Sequence, residues 1–346
     1  MQENYTYTSC KIKIGPQKEM TLGKQFVSKV RDERIDAVKY WLIVLVIAVH
    51  VLLRPEFSDS TACVILRKWI HIFAMQLFIF ISGYFSRKKD KKDLWPSLWK
   101  LIEPLIIFQV IALLFYVDSI TIKKILSPWF SLWYLLSLIF WRLLLQIIPD
   151  RILKHTIIIL IATFCISILA GFLPFSKVLS LQRTLAFMPF FFLGYYMKGK
   201  NLYLPDRYKL FCMVFLILMF AVPLFFPQYI GDLRHAHPYV NIYGAVKRMI
   251  VFTLSIPMSI AFINICYKTP WIARQGRLTM QYYIYHALLI PPLMVLLEKL
   301  NVPMTFASAV IIIIGITIGI GLVLYIPYFK TFTNPSLFFA KKKIKS

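Results

Sequence analysis

Carboxylates are scarce in this chain: 15 Asp and Glu stand against 40 Lys and Arg in 346 residues, a formal net charge of +25. Only Glu103 falls clearly inside an apolar block, near its end and three residues after Lys100. A proton-coupled transporter ordinarily carries an acid or a relay of acids inside the membrane, so this scarcity counts against one. Cysteines are few and badly placed for chemistry. Cys10, Cys63, Cys165, Cys212 and Cys266 are odd in number, scattered and never spaced as C-x-x-C, which argues against a disulfide framework and a zinc site. No loop holds a polar stretch long enough for a soluble domain. Residues 1–39 lack the short apolar run and small-residue cleavage site of an export signal, and they read as a cytoplasmic tail.

Apolar sequence fills most of the rest. Hydrophobic residues make up 59% of the chain and the mean hydropathy is +0.68. Apolar blocks recur at 40–54, 69–86, 98–117, 128–148, 156–173, 184–197, 209–226, 248–267, 280–297 and 305–329. A single soluble core could not enclose so many. The expected fold is an all-α, polytopic integral membrane bundle of about ten transmembrane helices. Its expected parts are the tail 1–39, a transmembrane domain 40–329 and a basic cytoplasmic tail 330–346. The block at 184–197 is short and contains Pro189, so a kinked or half-inserted helix is expected there. Gly315 and Gly319 have GxxxG spacing in the last block, which allows close helix approach.

Basic residues set the expected orientation. An internal N-terminus puts 29 of the 40 Lys and Arg on the cytoplasmic side, including "RKKDKKD" and the final "KKKIK", and leaves 11 outside. Both termini are therefore expected in the cytoplasm. The cations are dispersed among short loops beside the membrane, where anionic lipid explains them, and nucleic-acid binding is not indicated.

The stretch "DAVKYWLIVLVIAVHVLLRP" sets Lys39 and His50 eleven positions apart. That is about three helical turns, so both lie on one face, separated by about 16 Å along the axis. Read alone, Lys39 is a topology anchor and His50 an interfacial residue, or the two share a functional passage. Further blocks bear on the choice: "LFIFISGYFSRK" ending the second helix, then "SLWYLLSLIFWRLL", "RTLAFMPFFFLGYYMKG" and "LTMQYYIYHALLI". With K-x10-H in the first helix, these resemble the acyltransferase 3 family of membrane acyl-CoA-dependent O-acyltransferases, and especially its fucose 4-O-acetylase-like branch. The likeness runs from Arg34 to Ile290. It departs from the branch before the I-S-G, where Ala74 and Gln76 stand at the positions of a histidine and a proline, with His71 one turn earlier.

The resemblance implies a multi-pass protein of the bacterial inner membrane. It would move an acyl group, expected to be acetyl, from cytoplasmic acyl-CoA to a hydroxyl of a cell-surface glycan or its precursor. The alternative is a transporter or exporter of glycan-related substrate. Expected partners are acyl-CoA, a glycan or lipid-linked saccharide and membrane lipid, with no metal. His50 is the candidate general base, since histidine titrates near neutral pH, and Lys39 is placed with it as a catalytic residue. The CoA phosphates need cations at the cytoplasmic mouth of a passage between helices, and the topology supplies Lys39, Arg87, Lys88 and Lys100. Lys39 and His50 are thus expected to line one cavity. Arg183, His71 and His286 are candidates for binding the acceptor. Glu56 or Asp59 is a candidate for orienting His50, and Trp133 and Tyr134 read as an interfacial aromatic belt. His235 and His237 have H-x-H spacing but no suitable third metal ligand.

Overall fold

The computed structural model describes residues 31–174, 178–230 and 233–333. The greater parts of both expected tails, residues 1–30 and 334–346, lie outside the described residues, as does Cys10. From Glu33 onward the chain forms one unit. Ten principal helices follow the ten apolar blocks. They are α1 (Glu33–Leu52), α2 (Thr61–Tyr84), α3 (Lys91–Phe115), α4 (Trp133–Ile147), α5 (Thr156–Ala170), α6 (Leu181–Tyr196), α7 (Lys209–Leu218), α8 (Tyr243–Ile265), α9 (Thr279–Lys299) and α10 (Phe306–Val323). No strand occurs among the described residues. Seven candidate spans, among them α7 taken with its flanking short helices, are long and apolar enough to cross a membrane; α4 and α5 are shorter apolar helices. Large apolar side chains point outward from the peripheral helices, including Ile157, Leu210 and Ile311. In water such a surface would be costly; in lipid it is the solvated face.

Several elements begin or end away from the apolar blocks, for identifiable reasons. α1 starts at Glu33, so Asp36 and Lys39 belong to the helix itself. α7 stops at Leu218 and a short helix Ala221–Phe225 follows, with Pro223 inside it. The last block divides because Pro327 starts a separate helix, Pro327–Phe332. A further short helix, Pro270–Gly276, has proline at its first turn, and the Thr269 hydroxyl accepts from the Ile272 amide at 3.1 Å.

α1 lies at the centre, against α2, α9, α10 and the short helix Pro270–Gly276. α2 packs most extensively on α6. Lipid offers no hydrophobic drive for helix pairing, so close backbone approach has to supply it. Here Gly83 of α2 meets Gly194 of α6. A Cβ on Gly83 would sit 1.9 Å from the Phe191 carbonyl oxygen, and one on Gly194 would sit 1.9 Å from that of Phe80. Gly315 and Gly319, by contrast, have open space beside them, so their GxxxG spacing is not used for helix contact within the chain.

α6 is one continuous helix through Pro189, at 16 residues about 24 Å long. Neighbouring helices rather than lipid surround it. Ser137 and Thr184 hydroxyls bond at 2.7 Å, Trp141 Nε1 donates to Thr184 O at 2.9 Å, and Ser167 Oγ donates to Ala186 O at 2.6 Å. A helix enclosed by protein need not match the bilayer thickness.

The crossing of α2 and α6 leads to a testable outcome. Gly194→Leu drives a side chain into backbone and is expected to abolish the monodisperse folded species on size-exclusion chromatography in detergent. Gly315→Leu, which meets open space, is expected to leave that species intact. Equal elution profiles for the two variants would refute the close-packing account.

Candidate functional site

α1 carries Lys39 near one end and His50 near the other, and each borders a different cavity. The expectation of one shared passage is therefore corrected: the faces align along α1, but side chains from α4 and α9 close the space between them.

The cavity at the Lys39 end has a volume of about 290 Å³. Lys39, Ser82, Tyr134, Arg142, Arg277 and Tyr283 contribute its polar groups. Lys39 Nζ lies 2.6 Å from Asp36 Oδ1, and Arg277 Nε lies 3.5 Å from Asp36 Oδ2. Asp36 is almost fully enclosed, with its side chain 3% exposed. Gly276 makes this arrangement possible, because a Cβ there would fall 1.7 Å from the Asp36 carbonyl oxygen. Arg142 stands in the same cavity beside Tyr134.

The cavity at the His50 end measures about 270 Å³. His50, His71, Arg54, Arg183 and Arg234 border it together with the rings of Phe130, Trp133 and Phe187. Arg183 extends over the Trp133 ring, 5.0 Å from its centroid. The His50 ring is held by aromatic contacts, 4.4 Å from Phe130 and 5.1 Å from His286, centroid to centroid. Phe130 has φ 49°, a left-handed conformation unusual for a bulky residue. Its loop is clamped by Gln109 of α3, whose Oε1 accepts from Trp129 N at 2.9 Å and whose Nε2 donates to Ser127 O at 3.1 Å. Such strain, costing about 1–3 kcal/mol, tends to mark functional positions.

Between the cavities lies a thin layer of rings. Tyr134 bonds to Ser82 through their hydroxyls. Tyr134 and Tyr283 rings are 5.4 Å apart, Tyr283 and His286 5.7 Å, and His286 touches His50. His286 is fully buried, with Nδ1 3.0 Å from the Tyr282 carbonyl. A carbonyl only accepts, so Nδ1 carries the proton and Nε2 presents a lone pair. That Nε2 is buried and makes no hydrogen bond among the described residues.

The sequence candidates thus divide into groups. His50, His71 and Arg183 meet in one cavity, Lys39 lies in the other, and His286 stands in the layer between them without lining either. Arg87, Lys88 and Lys100 line neither cavity; Lys88 instead pairs with Asp150 at 2.8 Å and donates to Ile148 O at 2.5 Å. Neither Glu56 nor Asp59 takes the place of an orienting carboxylate. Glu56 pairs with Arg54 at 3.5 Å, and Asp59 accepts from Ser58 Oγ at 3.3 Å. Trp133 and Tyr134 are buried cavity walls rather than belt residues, because the loop before α4 tucks α4's first turn inward. Ala74 borders the His50 cavity, while Gln76 faces away on α2, toward an apolar space of about 310 Å³. Among the described residues no group of three or more His, Cys, Asp or Glu is placed to hold a metal ion. Cys63, Cys165, Cys212 and Cys266 are free thiols.

Removing Asp36 would strip a buried carboxylate from two cations. Asp36→Ala is expected to cost about 1–3 kcal/mol, seen as a lower unfolding midpoint in detergent. Glu33→Gln, at a side chain 40% exposed, is expected to change stability by about 0.5 kcal/mol or less. Matching midpoints for the two variants would remove the structural role assigned to Asp36.

Neither a curated protein nor a solved structure matches the chain. A family model described as an acyltransferase domain matches residues 32–326, from the start of α1 to the residue before Pro327. The match is to the family as a whole and covers both cavities and the layer between them. The chain therefore belongs to the acyltransferase 3 family, as an acyl-transferring enzyme of the membrane.

Proposed function

We propose that this protein transfers an acyl group, expected to be acetyl, from acyl-CoA to a hydroxyl of a cell-surface glycan or its precursor, with His50 as the general base. One observation carries the reading: His50 borders a cavity at one end of the bundle, and the contacting rings of His286, Tyr283 and Tyr134 run from it to a second, cation-lined cavity. The excess of Lys and Arg on the Lys39 side supports a cytoplasmic location for the second cavity in a bacterial inner membrane.

In this reading the nucleotide and phosphates of the donor stay at the Lys39 end. Bulk and charge exclude them from the bilayer interior. Arg142, Arg277 and Lys39 supply the facing cations, Arg142 being the one whose titratable neighbour is a tyrosine rather than an acid. The thin pantetheine arm then parts Tyr134 from Tyr283 to bring the thioester to His50, a distance of about 16 Å along α1.

The acceptor hydroxyl attacks the thioester carbonyl carbon. As the C–O bond forms, His50 takes the hydroxyl proton; the C–S bond breaks and the electron pair leaves on the CoA sulfur, which His50 then reprotonates. His286 is well suited to position the base. Its tautomer is fixed by Tyr282, and its Nε2 lone pair can accept a proton held by the His50 ring, leaving the opposite His50 nitrogen to act.

Two measurements test this. In membranes supplied with radiolabelled acetyl-CoA, His50→Ala should lower transfer to glycan by about 10²–10⁴-fold. Near-normal turnover would defeat the assignment. Arg142→Gln should raise the KM for acetyl-CoA by about tenfold or more while changing kcat less, as expected for a lost charge-assisted contact made in the bound ground state. An unchanged KM would move the donor's phosphates elsewhere.

A further inference from the structure

Resting on the reading above, we propose that the hydroxyls of Ser131 and Tyr283 hold the thioester carbonyl oxygen during transfer, as the two donors of an oxyanion hole. Ser131 Oγ and Tyr283 Oη are both buried and make no hydrogen bond among the described residues. The two side chains are neighbours. Tyr283 lies 5.7 Å from His286 and His286 5.1 Å from His50, ring to ring, so the pair stands close to the base.

A buried hydroxyl without a partner costs stability. Other serines buried in the bundle avoid that cost: Ser137 bonds Thr184 at 2.7 Å, Ser167 donates to Ala186 O at 2.6 Å and Ser255 to Phe252 O at 2.8 Å. The Tyr134 proton is also committed. Ser82 Oγ donates to Phe78 O at 2.9 Å, so in the Ser82–Tyr134 bond it is Tyr134 that donates. Ser131 and Tyr283 keep their O–H donors unused beside the route assigned to the pantetheine arm, which parts Tyr134 from Tyr283.

Local structure sets both hydroxyls in advance. Phe130 and Ser131 are the central residues of a turn in which Leu132 N donates to Trp129 O at 2.9 Å, and Phe130 has φ 49° within it. The Phe130 ring lies 4.4 Å from that of His50. The turn that packs against the base therefore also places the Ser131 hydroxyl. Tyr283 is fixed by α9, three residues before His286. Donors held this way need little reorganisation as charge develops.

A thioester carbonyl is a weak acceptor in the ground state. When the acceptor hydroxyl oxygen bonds to the carbonyl carbon, the C=O π pair moves onto oxygen while His50 takes the hydroxyl proton. The resulting oxyanion is a strong acceptor for the two O–H groups. Its pair then returns to carbon as the C–S bond breaks and the thiolate leaves. His286 has no place in the hole, since its Nε2 lone pair would repel an oxyanion.

The test compares the unmodified full-length protein with Tyr283→Phe and Ser131→Ala in membranes supplied with radiolabelled acetyl-CoA. Each variant removes one hydroxyl and little else. Each is expected to lower kcat for transfer to glycan by about 10²-fold or more, with the KM for acetyl-CoA changed by less than about threefold. The unfolding midpoint in detergent should hold or rise, because no hydrogen bond within the described protein is lost. Trifluoroacetonyl-CoA, whose ketone readily becomes tetrahedral, should inhibit the unmodified protein at least about tenfold better than acetonyl-CoA, and that ratio should fall toward one in the variants.

Unchanged kcat in both variants would overturn the proposal. So would a raised KM at constant kcat, which would put the hydroxyls on the amides of the pantetheine arm, or a midpoint that falls together with kcat, which would mark a packing role. Equal inhibition of the unmodified protein by the two ketones would overturn it without any variant. Loss of transfer in His50→Ala beside normal kcat in both hydroxyl variants would defeat this inference and keep the transferase reading; no transfer by the unmodified protein would defeat that reading and this inference with it.

Discussion

The contact of Gly276 with the backbone of Asp36 governs the rest of the molecule. It lets the short helix Pro270–Gly276 lie directly on α1, so close that any side chain at 276 would collide with the Asp36 carbonyl. Arg277 follows at once in sequence and reaches Asp36, which in turn holds Lys39. α1 is thereby fixed in rotation and depth. Because α1 is a rigid helix, the same contact determines where His50 stands about four turns away. A polar cluster at one end of a helix thus positions an imidazole at the other.

Much of this was legible from the chain. Ten apolar blocks became ten principal helices, because hydrocarbon leaves the backbone few other ways to satisfy its hydrogen bonds. His50, His71 and Arg183, all singled out in the sequence, border one cavity, His50 near the end of α1, Arg183 in the first turn of α6 and His71 in the middle of α2. What the sequence could not convey was which helix abuts which. Arg142 sits in a run that reads as an ordinary span, and only the packing of α4, which lies on α3 and α6, brings it to Lys39's cavity. Asp36 looked like a tail residue because apolar patterning begins after it; helix α1 begins before it.

The rings between the cavities were hidden for the same reason. Tyr134 and Tyr283 are far apart in sequence; Tyr134 read only as part of an interfacial belt, and Tyr283 carried no signal of its own. Their contact exists only once the fold brings these two side chains together. Phe130 and Gln109 had no signal at all: a left-handed phenylalanine and a helix glutamine that clamps its loop are visible only as backbone geometry and hydrogen bonds. By contrast, Gly83 and Gly194 lie inside two of the quoted blocks, and their role as a crossing point gives those blocks a physical meaning.

The septum of Tyr134, Tyr283 and His286 has an electrical consequence. If solvent fills both cavities, the resistance of the protein is concentrated in the rings between them, and most of the transmembrane voltage falls there. A unit charge crossing the whole drop would gain or lose about 2.3 kcal/mol per 100 mV. Tight, largely uncharged rings at that position oppose the passage of ions between the two cavities.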